Sequence, residues 1–288
     1  MRKYVIFTDS CADLTPKMYA ELGLHTIQLE VIMDGEAPVR NDQVNIEEVY
    51  EKLRAKQGAT TSAINIDRFL GEFGTVLEAE DVDLLYLGFS SGLSSTYGAA
   101  VLALEELSEK YPDRKLYAVD TLCASMGQGL LVYLAAKLKE TGADIDTVKY
   151  FVENNKLKLC HWFTVDDLFF LKRGGRVSAA SAVVGTVLQI KPVLHVDNAG
   201  KLINVSKARG RRGAIETMVK KMKETILPDQ NKTIFISHGD CIDDAKYLAK
   251  RVQEESNIKD IQINFIGPVI GSHSGPGTLA LFFLGKER

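Results

Sequence analysis

Five hydroxyl side chains fall within seven residues at Ser90-Ser91-Gly92-Leu93-Ser94-Ser95-Thr96. They follow an apolar run, Leu84 to Phe89, and precede an alanine- and leucine-rich segment, Tyr97 to Leu107. That order describes a buried strand, a tight turn and a helix start. Backbone N–H groups at a helix start lack intrahelical partners and carry the positive end of the helix dipole. With hydroxyl donors beside them they form a cradle for a small anionic head group. One serine would serve only as a helix cap; five exceed what a cap needs. A second hydroxyl cluster, Thr60-Thr61-Ser62, stands in a small-residue stretch from Gly58 to Ile64 and is read as a turn before a helix. Beside the first cluster it forms the other wall of an anion pocket. A third small-residue start, Ser125 with Gly127 and Gly129, opens the segment Ser125 to Thr141.

Positive charge and imidazole lie elsewhere in the chain. Lys172-Arg173-Gly174-Gly175-Arg176 is a basic, glycine-containing turn, and Arg209, Arg211 and Arg212 form a second basic cluster that reads as a solvated or partner-facing patch. Guanidinium pairs bidentately with carboxylate or phosphate. His273 sits in a glycine- and proline-rich stretch, Gly267 to Gly277, read as a loop. Asp9 ends the first strand pattern, where a turn role and a ligand role are both open. Gly88-Phe89-Ser90-Ser91-Gly92 also fits the G-x-S-x-G nucleophile elbow, with Asp240 and His273 as available partners. A serine hydrolase using Ser90 or Ser94, or a small-molecule phosphotransferase, is therefore the alternative reading. There is no phosphate-loop or dinucleotide fingerprint, and no metal-ligand spacing, so no cofactor and no metal are expected.

The elements that position these residues alternate strand and helix through the first half. That pattern predicts a mostly parallel, doubly wound sheet whose polar loops share one edge. His25 to Met33 reads as a single strand. From about Lys156 the pattern changes to hairpins and crossovers, which predicts a mixed sheet. The expected organisation is an α/β protein of two domains, 1–158 and 159–288. The 288 residues allow that size. A formal net charge of −3 gives no reason to expect nucleic acid, and no apolar run is long enough for stable membrane insertion. Four scattered cysteines and an N-terminus that runs straight into a strand pattern, unlike a signal peptide, point to free thiols in a reducing cytoplasm.

The chain resembles the DegV family of bacterial fatty-acid-binding proteins. The resemblance rests on FTDSCADL near the start, Thr61-Ser62, SSGLSSTY at Ser90 to Tyr97, and the Asp120 to Gly129 helix start. It continues through FLKRGGRVS at Phe170 to Ser178, IKPVL, KARG, HGD and GPVIGSHSGPG at Gly267 to Gly277, in family order. Ser95 stands where the family usually has Gly, and Ala280 where Gly is common. The resemblance implies a carrier for a long-chain fatty acid such as palmitate, itself not a catalyst. It places the carboxylate on Thr61 and Ser94, with Ser62, Ser95 and Ser125 in the same loops and Arg173 and His273 nearby. It also implies a separate fatty acid kinase as partner, for which Arg209, Arg211 and Arg212 are a candidate docking patch, and a place in phospholipid synthesis. A carboxylate out of water must be hydrogen-bonded or paired, which this set provides. The apolar faces of Tyr97 to Leu107 and Ala179 to Leu188 are candidates for the tail tunnel, with ordinary core as the alternative.

Overall fold

The computed structural model describes residues 2–178 and 190–288. The expected helix over Ala179 to Leu188 lies outside them. In chain order the first half contains β1 (Lys3–Asp9), α1 (Pro16–Glu21), β2 (Leu24–Ile27), β3 (Glu30–Met33), β4 (Val39–Arg40) and α2 (Ile46–Arg54). It continues with β5 (Ala59–Ser62), α3 (Ile66–Ala79), β6 (Val82–Gly88), α4 (Thr96–Lys110), β7 (Leu116–Asp120), α5 (Met126–Glu140) and α6 (Ile145–Asn155). The second half contains β8 (Leu159–Thr164), α7 (Phe169–Arg173), β9 (Ile190–Val196), β10 (Leu202–Arg209), α8 (Gly210–Thr225) and β11 (Thr233–His238). The chain closes with α9 (Ile242–Ser256), β12 (Asp260–Phe265), α10 (Pro268–Ser274) and β13 (Leu279–Leu284).

β2-β1-β6-β7 form an all-parallel sheet. Its central strand β6 is buried at every position, as a strand covered on both faces must be. One face is covered by α3 and α4, where Phe69 meets Tyr86 edge to face and Phe73 packs tilted against both. The other face meets α5 and α6. A mixed sheet, β10-β9-β8-β13-β11-β12, carries α8 and α9 on its outer face. Helix α5 lies between the two sheets, and one hydrophobic core runs from Ile6 and Leu85 through Leu131 to Phe163 and Phe282. The approach is close: a Cβ on Gly127 would stand 2.3 Å from His161 Nε2 and 2.8 Å from the Phe282 ring.

Three local expectations are corrected. The run from His25 to Met33 is not one strand. Gln28 and Leu29 break it, so that β2 joins the parallel sheet while β3 joins a small antiparallel sheet, β4-β3-β5. Thr60 and Thr61 are not a turn but part of β5, paired with Ile32 and Val31. β-Branched residues fit a pleated surface, and the partner strand that completes the pair is remote in sequence. Gly267 to Gly277 is not a loop throughout: Pro268, whose missing N–H costs nothing at a first helical position, starts α10, and His273 sits in that helix's last turn.

Candidate functional site

The turn after β6 is built around two aspartates. Asp9, fully buried at the end of β1, accepts from the backbone N–H of Phe89 (2.8 Å) and Cys11 (3.0 Å), from the Tyr86 hydroxyl (2.7 Å) and from Gln128 Nε2 (3.2 Å). Its role is to hold the strand ends in place, with no ligand contact required. Asp120 accepts from the N–H groups of Ser91 and Leu122. Ser94 Oγ accepts from the Thr96 N–H, the first amide of α4, at 3.2 Å, and the residue also lines the cavity beside the turn.

That cavity encloses about 960 Å³ of empty space, including its open mouth. Its polar end gathers residues from four distant segments. Thr61 of β5 and His273 of α10 meet at 2.7 Å between Oγ1 and Nε2. Arg176 places its NH1 3.5 Å from His273 Nδ1 and donates from Nε to the Leu93 carbonyl oxygen at 3.1 Å. Ser94 and Ser95 complete the group. Guanidinium only donates, so Nδ1 is the acceptor and the imidazole proton sits on Nε2. Nε2–H therefore donates to Thr61 Oγ1, and the Thr61 hydroxyl hydrogen is left to point at a ligand. Burial, then the charges of Arg176 and Arg173, push the His273 pKa down to about 4, so the ring is neutral at physiological pH. The close seat of the ring needs Gly174, whose Cβ would stand 2.3 Å from Nδ1. Away from this end the wall is mainly apolar, with Leu93, Phe163, Leu171, Val196, Ile270 and Phe282 prominent in it and Ser125, His161, Ser274 and Thr278 set among them.

Of the seven residues singled out from sequence, Thr61, Ser94, Ser95, Ser125 and His273 line the cavity, whereas Ser62 and Arg173 do not. Thr61 and Ser62 are adjacent in a strand, so their side chains point to opposite faces, and Ser62 donates to the Ala63 carbonyl oxygen. Arg173 donates to the Ser272 carbonyl oxygen at 3.3 Å and lies over the Phe170 ring. The Gly174-Gly175 reversal, with Gly175 at φ +72°, turns Arg176 rather than Arg173 into the cavity. Two arginines flank that reversal, and only the three-dimensional course of the turn distinguishes them.

Ser125 stands apart from the head-group residues. Its Oγ donates to Asp13 Oδ2 at 2.5 Å and lies 3.0 Å from Ser237 Oγ. Its backbone, at φ 54° and ψ −148°, occupies a region that is nearly glycine's alone. Burial pushes the Asp13 carboxyl up to about 8, against hydrogen bonds from Ser125 and the Gly267 N–H that pull it down. His161, on the same wall, is held neutral, its pKa pushed well below the ordinary value by burial. Both its ring nitrogens are engaged, Nδ1 with the Leu159 carbonyl oxygen and Nε2 with the Ala124 N–H.

The nucleophile-elbow trio does not assemble. Ser90 is fully buried and donates to the Gly200 carbonyl oxygen at 2.8 Å, latching the β9–β10 turn onto the loop. Asp240 pairs with Arg54 at 2.9 Å, and His273 pairs with Thr61. In the basic patch, Arg211 is committed to Asp244 at 2.8 Å and Arg212 lies over the Tyr247 ring. Segment Tyr97 to Leu107 faces the core with Ala100, Ala103 and Leu104, and contributes nothing to the cavity wall. Cys11 is buried beside Asp9 and Asp13, with its thiol pushed well up by burial, which opposes a reactive role. Among the described residues, no cluster of three or more His, Cys, Asp or Glu suits a metal, and no helix is long and apolar enough to cross a membrane.

A parallel sheet and a mixed sheet around one mainly apolar cavity, with a cluster of polar and charged side chains at one end, define an α/β protein with the site of an amphipathic small-molecule binder. The family model described as "Uncharacterised protein, DegV family" matches residues 3–286, and the chain belongs to that family. A DegV domain-containing protein of Clostridium perfringens is 46% identical over 290 residues, which cover 100% of this chain and 99% of the relative. A Thermus thermophilus DegV family protein described for its fatty acid binding superposes with a TM-score of 0.87 at 31% identity, covering 99% of this chain and 100% of its own. DegV from Bacillus subtilis, described as a fatty acid binding protein, gives a TM-score of 0.85 at 26% identity, covering 99% of this chain and 100% of its own.

Proposed function

We propose that this chain is a carrier of a long-chain fatty acid. The observation that carries the reading is the polar end of the cavity: Thr61, His273 and Arg176, with Ser94 and Ser95, at one end of a mainly apolar enclosure. In this reading the carboxylate accepts from the Thr61 hydroxyl and the serine hydroxyls, and Arg176 supplies the balancing charge, because the neutral His273 ring cannot. The tail lies along the apolar wall. A sixteen-carbon chain gains about 11 kcal/mol gross at roughly 0.8 kcal/mol per buried CH₂, before the costs of ordering ligand and protein. The fatty acid binding of the Thermus thermophilus and Bacillus subtilis relatives supports the same ligand class. The two sheets form two domains, 1–158 and 159–288, and the ligand lies at their junction.

The carrier itself performs no bond-making step and presents the carboxylate to a separate fatty acid kinase. Arg209 and Arg212, both exposed, remain the docking candidates, while Arg211 is withdrawn by its pairing with Asp244. The test is mass spectrometry of the native protein followed by denaturing lipid extraction. One equivalent of fatty acid, lost in the Thr61→Ala/Ser94→Ala double variant, is expected. A protein that is empty and takes up no added fatty acid would overturn the reading.

A further inference from the structure

We propose that Arg288 is a positioning residue for ligand length. It fixes the His161 ring as the end wall of the cavity, so that the carrier accepts acyl chains only up to a set length. The inference rests on the carrier reading and narrows its ligand.

The rows of the mixed sheet give the cavity a direction. On β13 and the residue before it, Thr278, Ala280 and Phe282 line the cavity and Leu284 does not. On β8, His161 and Phe163 line it and Leu159 does not. Ala280 pairs with Phe163 and Phe282 with His161, so both strands leave the wall at the same row. The head-group end lies at the other end of this face, because Thr278 donates to the carbonyl oxygen of Ser274, the residue after His273, at 2.9 Å. From Thr278 to Phe282 the extended chain covers about 13 Å. Among the described residues, the row of His161 and Phe282 is where a tail that starts at Thr61 runs out of cavity.

That row is closed from the opposite side and held from behind. Helix α5 opens against it, and a Cβ on Gly127 would stand 2.3 Å from His161 Nε2. His161 and Phe282 meet edge to face, with ring centroids 5.3 Å apart. A closed circuit of hydrogen bonds then fixes the imidazole. Its Nε2 accepts from the Ala124 N–H at 3.2 Å, so the ring proton sits on Nδ1, which donates to the Leu159 carbonyl oxygen at 3.0 Å. Arg288 donates from Nε to that same oxygen at 3.2 Å. From Nη2 it donates to the Sγ of Cys123, the residue before Ala124, at 3.3 Å. One planar fork thus joins the two segments that grip the ring. Its bonds to the carbonyl oxygens of Lys156 (2.6 Å) and Asp197 (2.9 Å) anchor the fork itself. A ring free to swing aside would let a tail extend towards Leu159; the guanidinium prevents this without touching the ligand.

The test is displacement of a fluorescent fatty acid from the full-length chain by straight-chain saturated acids, from decanoic to docosanoic. Affinity should climb by up to about fourfold per added methylene to a peak. It should then fall by about fivefold or more for each further pair of carbons, the scale of overpacking a dense wall. His161→Ala should move the peak to a longer acid and Gly127→Ala to a shorter one. Arg288→Gln should reduce the fall past the peak by about threefold or more. That fall is a ratio between two acids, so a merely structural role for Arg288, which would weaken all lengths alike, does not move it. If His161→Ala does not fold, Gly127→Ala and Arg288→Gln carry the same readout. A wild-type profile with no fall, or a peak at the same acid in the wall variants, would overturn the end wall. A fall unchanged in Arg288→Gln would overturn the assignment of Arg288. Failure of every acid in the series to bind would overturn the carrier reading, and this inference with it.

Discussion

Replacing Arg176 by Gln should weaken fatty acid binding far more than replacing Arg173 by Gln, although both belong to one basic turn. Arg176 lines the cavity, half-buried, with its NH1 within 3.5 Å of the His273 ring that holds Thr61. Arg173 spends a hydrogen bond on the Ser272 carbonyl oxygen, over Phe170, outside the wall. A hydrogen bond to a charged group contributes about 1.5–3 kcal/mol net, so Arg176→Gln should raise Kd by about 10- to 150-fold. Arg173→Gln acts only through its distant charge and should cost less than about fivefold. Arg176→Lys keeps the charge but not the planar fork and should fall between. The assay is displacement of a fluorescent fatty acid. Thermal melts of the apo proteins report the separate loss of the Arg176 bonds to the carbonyl oxygens of Leu93 and Gly174. A larger loss in Arg173→Gln than in Arg176→Gln would refute the assignment of the head-group cation.

Further outcomes follow from the buried polar groups. Asp13, pushed up to about 8 in the fold from an unfolded value of about 4, contributes stability that is present below pH 4 and lost as pH rises towards 8. Asp13→Asn should therefore gain on the wild type between pH 5 and pH 8, by up to about 1.4 kcal/mol per pH unit; a urea-midpoint difference that does not change with pH would contradict this. His273, pushed down to about 4, acts in the opposite sense: the folded state keeps it neutral, and stability is lost as pH falls from about 6.5 towards 4. The destabilisation of His273→Gln should accordingly shrink on acidification, as read by melts at pH 7 and pH 4.5. Ser90→Ala should cost about 1 kcal/mol through the lost bond to Gly200, and a fluorophosphonate probe should not label Ser90 in the wild type. Gly127→Ala should destabilise the fold and narrow the cavity, because its Cβ would meet His161 and Phe282; an unchanged melt would count against the packing described.

The fold was legible where local pattern and global structure agree. The apolar runs at Tyr4 to Phe7 and Leu84 to Phe89 fall on the adjacent parallel strands β1 and β6, with Val5 opposite Leu84 and Phe89 just past the end of β6. The site was legible as a set of residue types but not as an arrangement. Thr61 and His273 are 212 positions apart and touch at 2.7 Å, a pairing no local window contains. Thr61 belongs to a strand and not to a turn because β5 is completed by β3, which is separated from β2 only by Gln28 and Leu29 within the run from His25 to Met33. The Gly267 to Gly277 stretch departs from its local pattern for a related reason. Its glycines suggested a loop, yet Gly271 packs in α10 against Tyr50, where a Cβ would stand 2.6 Å from the hydroxyl. Tertiary packing, not helix propensity, holds that helix. The choice between Arg173 and Arg176 depends on a glycine at φ +72°, and the presence of Gly175 marks the reversal without saying which arginine turns inward.

The central claim is that one carboxylate is held by Thr61, the Ser94-Ser95 turn and Arg176, with its tail inside the cavity. A crystal structure of the protein with hexadecanoate tests it most directly. The expected result is a carboxylate oxygen within hydrogen-bond distance of Thr61 Oγ1 and of Ser94 or Ser95, the Arg176 guanidinium beside it, and the chain running along Leu93, Phe163 and Phe282. A carboxylate bound outside this cluster, or a tail outside the cavity while the Thr61–His273 contact stays intact and empty, would contradict it.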